Sequence, residues 1–589
     1  MSSADVWMKK WPEALELWGK YIKLRDPLLT RRKKVPGKKT ATPLAYIDLQ
    51  SKQVVVSLDQ VEKLGLEPYA LEILAHEVGH HVFAPGDLLD AARCMARIRK
   101  ALREYEGEAG LILNLYTDLL INHRLKAAGL AMEAIYARLR AAPGESVVAG
   151  RGAEPGKHAG QNESADPLWN LYMRIYELLW SLSPRTLCES PGPEMDGDAM
   201  VAAQVIRSFG SDVVRGSGMF AAICYYYIKE SGTASARKIM QPLLDADEAG
   251  ADGIPDGLVD MDEGEEDECS YPEFDEHGNW IPPQEPDPES AGSARGQSRM
   301  PLDYYNTLKA LGINVSQEEA TIKYYREKSR PYLIPFPTTE SEESSEPLLE
   351  GYEIWQPGQM IERINWFQSL LRSPIVIPGY TTVQNRYGTT EGQSTDRSPM
   401  DLDLYVDCSG SMPRPSISIS YPALAGAIVA LSALRSGSSV QATLWSGPNQ
   451  WQITEGFVRD ETAILAVLTG YIGGGTAFPL HILRKTYLEG KPRSRKTHIL
   501  VISDDGVDTI LQNDEKGQPG ADIAARALEA AGGGGTFALQ LYSDWEKNGP
   551  LVQCNKLGFQ IHQVGSAQDL TQFARDFARK NYYAGKGKP

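Results

Sequence analysis

The apolar positions of this 589-residue chain change period several times. Near the start, Trp7, Trp11, Leu15 and Trp18 recur at helical spacing and predict a helix within residues 1–30. The stretch PLAYIDLQSKQVVVSL (43–58) alternates like a hairpin, with its turn near Ser51-Lys52. A helical period runs from about Glu67 through Phe83 and stops at Pro85-Gly86. Two further helices fill 87–128, residues 168–243 read as all helix, and 301–328 are helical again. Residues 352–390 mix a helix with short strands. From Asp401 to about Tyr583, strands and helices alternate, as in a doubly wound parallel sheet.

These patterns divide the chain into a helical N-terminal domain (1–143), a Gly/Pro/polar linker (144–167) and a helical region (168–243). An acidic linker (244–300), a helical and brace region (301–395) and a doubly wound, Rossmann-like domain (396–589) follow. The expected fold class is multidomain α/β, and the sequence contains no internal repeat. Composition changes this little: 42% apolar and 23% charged residues are ordinary for a globular protein.

The net charge of −17 has a local origin. Eighteen Asp and Glu, and no Lys or Arg, fall between Asp245 and Glu289; without them the chain would carry +1. Such a block repels itself, and a disordered linker is expected there. The stretch ADGIPDGLVD (251–260) resembles a calcium-binding aspartate loop, but Gly250 stands where an acid is needed, so the linker reading is preferred. The basic run Arg31–Lys34 with Lys38 and Lys39 reads as a solvated loop. No nucleic-acid-binding motif accompanies it, so nucleic acid is not an expected partner.

The N-terminus has no apolar signal segment, and the longest apolar helical run, Ala423–Leu434, is too short to span a bilayer. Six scattered cysteines without a CxxC pair point to a reducing compartment. A cytoplasmic protein without a membrane partner is expected. No P-loop, GxSxG or kinase signature is present.

LAHEVGHHV (74–82) holds three of the nine histidines. His76 and His80, four apart, share one helix face and can grip one Zn²⁺. Glu77 sits beside that face and can serve as general base toward a water at the metal. The surrounding Ile73, Leu74, Ala75, Val78 and Val82 predict burial, where histidines without partners are costly. Asp118 lies in an otherwise aliphatic helix, LILNLYTDLLINHRL (111–125), and is the candidate third ligand. Asn114 and Asn122, at i−4 and i+4, are placed to orient the ligands. Glu108, Glu104 and His123 are rivals for the third position, and His81 points off the ligand face. The five-residue pattern HExxH occurs by chance on ordinary helices, so the downstream Asp118 carries much of the weight.

The C-terminal third carries a second set. LDLYVDCSGSM (402–412) is an apolar strand ending in Asp-x-Ser-x-Ser, GGGTAF (473–478) follows a glycine run with a threonine, and HILVISDDG (498–506) is another strand ending in aspartates. Loops at the carboxyl ends of a doubly wound sheet converge on one crevice. Asp407, Ser409, Ser411, Thr476 and Asp504 would meet there and offer hard oxygens suited to Mg²⁺. Counting from the strand selects Asp504, and counting back from Gly506 selects Asp505; Asp504 is preferred.

LAHEVGHHV followed by Asn114, Asp118 and Asn122 resembles the metallopeptidase-type domain found fused to von Willebrand factor A-like domains in bacterial proteins, over about residues 40–128. That resemblance implies a zincin-like domain acting on a protein or peptide. The C-terminal motifs resemble the metal-ion-dependent adhesion site of the von Willebrand factor A fold, over about 185 residues. It implies a Mg²⁺ whose open position takes an acidic residue of a partner. Proteins of this kind are often encoded with a MoxR-type AAA+ ATPase, which makes such an ATPase an expected partner. YEIWQPGQMIERINWFQSLLRSP (352–374) resembles a segment preceding this domain in bacterial relatives, except that Gln359 and Asn365 replace two acids. A structural brace is expected there. The reading that emerges is a zinc peptidase with a recruitment domain; the alternative is a non-enzymatic adaptor with a structural zinc.

Overall fold

The computed structural model describes residues 3–31, 44–48, 52–141, 166–189, 192–231, 254–259, 267–282, 299–333, 348–388, 399–490, 493–541 and 544–582. The chain forms two compact units. One spans Met1–Lys328 with Arg414–Ile419, and the other Ser329–Pro413 with Ser420–Pro589.

The first unit opens with α1 (Ser3–Glu16), which buries Trp7 and Trp11. The helix is shorter than the aromatic spacing predicts. Trp18 lies beyond it, and its indole N–H donates to the Ala75 carbonyl at 2.7 Å. Three strands follow: β1 (Leu28–Thr30), β2 (Ala45–Asp48) and β3 (Gln53–Ser57). The expected hairpin is β2–β3, antiparallel, and β1 joins β3 in parallel. Among the described residues β2 is therefore a sheet edge.

Helices α2 (Leu58–Leu64), α3 (Ala70–Val82), α4 (Leu88–Leu102), α5 (Ala109–Ala127) and α6 (Met132–Ala141) come next. They are followed by α7 (Pro167–Leu179), α8 (Pro193–Ser208) and α9 (Val213–Ser231). α4 packs along α9, α3 packs on α1 and α5, and α7 packs on α8. The boundary expected at 144–167 thus separates no compact units. The reason is α5, in which every residue from Leu111 to Asn122 is buried. A helix buried on all sides needs cover from all sides, and α7 and α9 supply part of it.

The acidic stretch also departs from expectation. Residues 267–282 carry a short hairpin of β4 (Glu273–Phe274) and β5 (Trp280–Ile281). Glu268 is buried between Arg97 (3.4 Å) and Arg215 (2.6 Å). Two cations offset the desolvation of one carboxylate, so this part is folded rather than linker. Most of the acidic block, the 144–165 linker and basic residues 32–39 lie outside the described residues. So do Asp252 and Asp260 of the suggested calcium loop. α10 (Pro301–Ala310) and α11 (Gln317–Ser329) complete this unit, so the expected 301–395 region is split between the two.

In the second unit, β6 (Leu348–Ile354) pairs antiparallel with β7 (Val383–Gly388), and α12 (Trp366–Arg372) lies between them in sequence. A six-stranded sheet follows. Its strands are β8 (Asp401–Asp407), β9 (Val440–Trp445), β10 (Trp451–Ile453), β11 (Thr497–Ser503), β12 (Gly532–Gln540) and β13 (Phe559–Val564). The order is β10-β9-β8-β11-β12-β13, and only β10 runs antiparallel. α13 (Tyr421–Arg435) covers one face, where Gly426 approaches Leu404 and Val406. α14 (Glu461–Leu468) lies beside α13 on that face, with Leu468 near Gly426, and packs on β9. On the other face, Tyr405, Val501 and Phe537 form a core with α15 (Leu480–Tyr487) and α16 (Gly520–Ala531). α17 (Gly549–Lys556) and α18 (Ala567–Tyr582) close the unit. Mixed helix and mostly parallel sheet is the coarse architecture expected from the sequence. Strand order reverses direction between β8 and β11, which opens a crevice at their carboxyl ends.

Among the described residues no helix is long and apolar enough to cross a membrane. All six cysteines are free thiols.

Candidate metal centres

α3 is held close to its neighbours. A Cβ on Gly79 would stand 2.7 Å from both Ile121 Cγ2 and Trp18 Cζ2. The missing side chain lets α3 lie against α5, and the histidine face of one meets the aspartate of the other. Among the described residues, one group of His, Cys, Asp or Glu has ligand atoms close enough to share a metal: His76, His80 and Asp118.

The protonation pattern of the rings follows from their neighbours. His76 Nδ1 lies 2.8 Å from Asn122 Oδ1, and His80 Nδ1 lies 3.0 Å from the Ala84 carbonyl. Both oxygens can only accept, so each Nδ1 carries the hydrogen. In neutral rings each Nε2 is then a lone pair. These point at Asp118 Oδ1 from 3.4 and 3.5 Å. That oxygen is buried without a hydrogen-bond partner, in a residue only 1% exposed. Three acceptors converge with no donor among them, and a cation satisfies all three. Ligands about 2.0–2.1 Å from a tetrahedral metal stand about 3.3 Å apart, close to these separations. The other Asp118 oxygen accepts from Asn114 Nδ2 at 3.2 Å.

Glu77, 2% exposed, lines the same cleft with Leu44, Ala45, Ile73 and Tyr136. The cleft has room of about 50 Å³, enough for water. The rivals do not join this group. Glu104 accepts from the Tyr225 hydroxyl at 2.6 Å, and His123 lines a different cleft with Phe83 and Arg124. Glu108 is buried but supplies no ligand atom to the cluster. His81 Nδ1 bonds to the Gly86 carbonyl at 3.2 Å.

The sequence reading missed what holds Asn122. Its Nδ2 donates to the hydroxyls of Tyr136 and Tyr176, both at 2.8 Å, and Tyr172 joins them at 2.8 Å from Tyr176. The four-residue spacing of Tyr172 and Tyr176 was visible, but it reads as a core stripe.

At the carboxyl end of the large sheet, the second set converges. Ser409 Oγ and Ser411 Oγ are 3.1 Å apart, and Ser411 Oγ donates to Asp504 Oδ2 at 2.9 Å. Octahedral ligands at about 2.0–2.1 Å stand about 2.9 Å apart, close to these two separations. Asp407 works from behind: its oxygens accept from Ser409 N (2.8 Å) and Ser503 Oγ (2.6 Å). Burial pushes the Asp407 carboxyl up, the Asp504 charge adds to this, and the hydroxyl and amide donors oppose it. Thr476 packs against Gly506, next to Asp504 Oδ1. Gly474, at φ 106°, lets the glycine loop turn so that its carbonyl receives Gly410 N at 2.9 Å. The Asp504 side chain reaches the site; nothing is described of the Asp505 side chain.

Asp403, on the same strand as Asp407, was also missed. Its carboxyl is fully buried and accepts from Tyr487, Tyr405 and Gln441 at 2.9–3.1 Å. Burial raises its pKa to about 6 despite those donors and Arg493. Between about pH 4 and 6 the folded state then holds more protons than the unfolded one. Stability therefore falls as pH rises through that window, by up to about 3 kcal/mol at about 1.4 kcal/mol per unit. Asp403→Asn is expected to remove this slope and to raise the melting point of the sheet unit at pH 7. Calorimetry at pH 4.5 and 7 checks it; an unchanged pH dependence would mean that Asp403 does not titrate there.

No family model matches the chain, and no curated protein does. Among solved structures, part of the chain is similar to the pilus adhesin SpaC from Lactobacillus rhamnosus GG. One crystal form matches at 14% identity and TM-score 0.23, over 32% of this chain and 31% of that one. The open conformation matches at 16% and 0.24, over 32% and 30%. The chain thus spans about a third of the length of these structures, and likeness at that level carries no argument.

Proposed function

We propose that this chain is a zinc-dependent metallopeptidase with a zincin-like catalytic domain and a von Willebrand factor A-type recruitment domain. The observation that carries the reading is the convergence of His76 Nε2, His80 Nε2 and the buried, hydrogen-bond-free Asp118 Oδ1. Three protein ligands leave a fourth position open, which is the catalytic rather than the structural pattern. Bound there, Zn²⁺ supplies Lewis acidity and lowers the pKa of water to about 7. Asn122 and the Ala84 carbonyl hold the two imidazoles in the ligating tautomer. Asn114 holds Asp118. Glu77 accepts the proton of the attacking water and passes it to the leaving amine. The open edge of β2, whose Ala45 lines the cleft, offers backbone groups to an extended peptide.

In the second unit, Ser409, Ser411, Thr476 and Asp504 would hold Mg²⁺, with Asp407 fixing the loop. Neutral hydroxyls leave part of the ion's charge uncompensated, which favours a carboxylate from a partner. By the resemblance in sequence, a MoxR-type AAA+ ATPase is the partner proposed, in a cytoplasmic setting.

A second reading, an adaptor with a structural zinc, has one observation in its favour: room of about 50 Å³ at the metal group admits water but no large side chain. The test is zinc analysis of the purified protein together with hydrolysis of a denatured-protein mixture. About one zinc per chain is expected beyond any bound Mg²⁺. Cleavage should be abolished by a chelator and restored by zinc. Bound zinc without any cleavage would favour the adaptor.

A further inference from the structure

Among the described residues, the segment between β6 and β7 carries a cluster of exposed large apolar side chains that belongs to neither metal group. α12 (Trp366–Arg372) places Trp366, Phe367, Leu370 and Leu371 at i, i+1, i+4 and i+5, which is one helix face. That face is exposed. Phe367 is 71% and Leu371 67% accessible, while Ser369 on the opposite side is buried. The chain continues directly into Ile375-Val376-Ile377, and Ile375 is 67% and Tyr380 72% accessible. The turn is fixed rather than loose: Thr381 Oγ1 donates to the Ile375 carbonyl at 2.8 Å and receives the Ile377 amide at 2.6 Å. Asn365 caps α12 through the Gln368 amide at 3.0 Å. An ordered scaffold holds eight large apolar side chains toward water.

Scaled by their exposures, these side chains present on the order of 700 Å² of apolar surface. The largest such patch on a typical monomer is about 300–600 Å². One partner's share of a standard interface is about 800 Å². Between Trp366 and Tyr380 the one charged residue is Arg372. Interfaces between identical subunits are more apolar than other interfaces. An uncharged stripe is also self-complementary, as a two-fold interface requires. A patch meant for a charged partner would carry opposite charges, and this one does not.

We propose that the face formed by α12 and the 375–380 turn is a homodimer interface, occupied by the same face of a second copy.

The test is sedimentation velocity of the full chain from about 1 to 50 µM, for wild type and for Phe367→Glu/Leu371→Glu. Wild type should sediment as a dimer. The double variant should dissociate at least 100-fold more readily, since two carboxylates per copy would be buried against each other. Both positions are exposed, so the variant should keep the wild-type circular dichroism spectrum and melting onset. The uncharged variant Ile375→Ser/Tyr380→Ser should weaken association in the same direction. A wild-type monomer at 50 µM, or a dimer unmoved by both variants, overturns the proposal. Association that depends on zinc or magnesium, and not on these residues, overturns it as well.

Discussion

Glu77→Gln is expected to leave about one zinc per chain and to reduce peptide hydrolysis by about 10²–10⁴-fold, the usual contribution of a general base. Glutamine has the size of glutamate and can keep its contacts in the cleft, but it cannot take a proton. Glu77 follows His76 in sequence, is almost fully buried, and lines the small space in front of Asp118. It contributes no atom to the metal-ligand group, so its loss should not empty the site. Two measurements on one sample decide the matter: elemental zinc and single-substrate turnover. Zinc retained with turnover lost is the outcome of a catalytic Glu77. Equal turnover in both proteins would remove this residue from the chemistry. An inactive wild type would leave the adaptor reading in front.

What could be read in the sequence follows from where the information sits. The spacing of His76, Glu77 and His80 is local to one helix, and so is the spacing of Asn114, Asp118 and Asn122 on another. The structure brings the two helices together with Asp118 opposite both rings. The oxygens at the ends of β8 and β11 were also legible, because strand ends in such a sheet converge by topology. Features that depend on a third element were not legible. Tyr136 sits on α6, a helix that the pattern did not announce, and it reaches His76 only through Asn122. Trp18 had helical spacing but serves as a wedge against α3 and Gly79. That residues 1–143 and 168–243 share one compact unit was not legible for a similar reason: α5 is buried from Leu111 to Asn122, and nothing local tells which helices cover it. Glu268 reads in sequence as one more charge in an acidic run, because Arg97 and Arg215, which flank it, come from α4 and α9.

Asp118→Ala is expected to lower zinc affinity by about 10²–10³-fold, because zinc binding of about 10–16 kcal/mol over four ligands is worth about 2.5–4 kcal/mol per ligand. The same change should have an opposite effect on the metal-free protein. There Asp118 Oδ1 is buried, 3.4 and 3.5 Å from His76 Nε2 and His80 Nε2. Removing it relieves that desolvation cost but opens a small cavity and frees Asn114 Nδ2. Metal-free stability should therefore change little, or rise. The response to zinc is the discriminating quantity. Wild type should gain about 4 kcal/mol when zinc is present at about a thousand times its dissociation constant. The variant should gain only about 0.4–1.4 kcal/mol at that concentration. Melting curves of both proteins, with and without zinc, give four numbers and one interaction energy. A large interaction energy means that Asp118 acts through the metal. Equal gains in the two proteins would mean that zinc is held by His76 and His80 with another partner. A variant that melts early in both conditions would mean that Asp118 holds the fold rather than the ion.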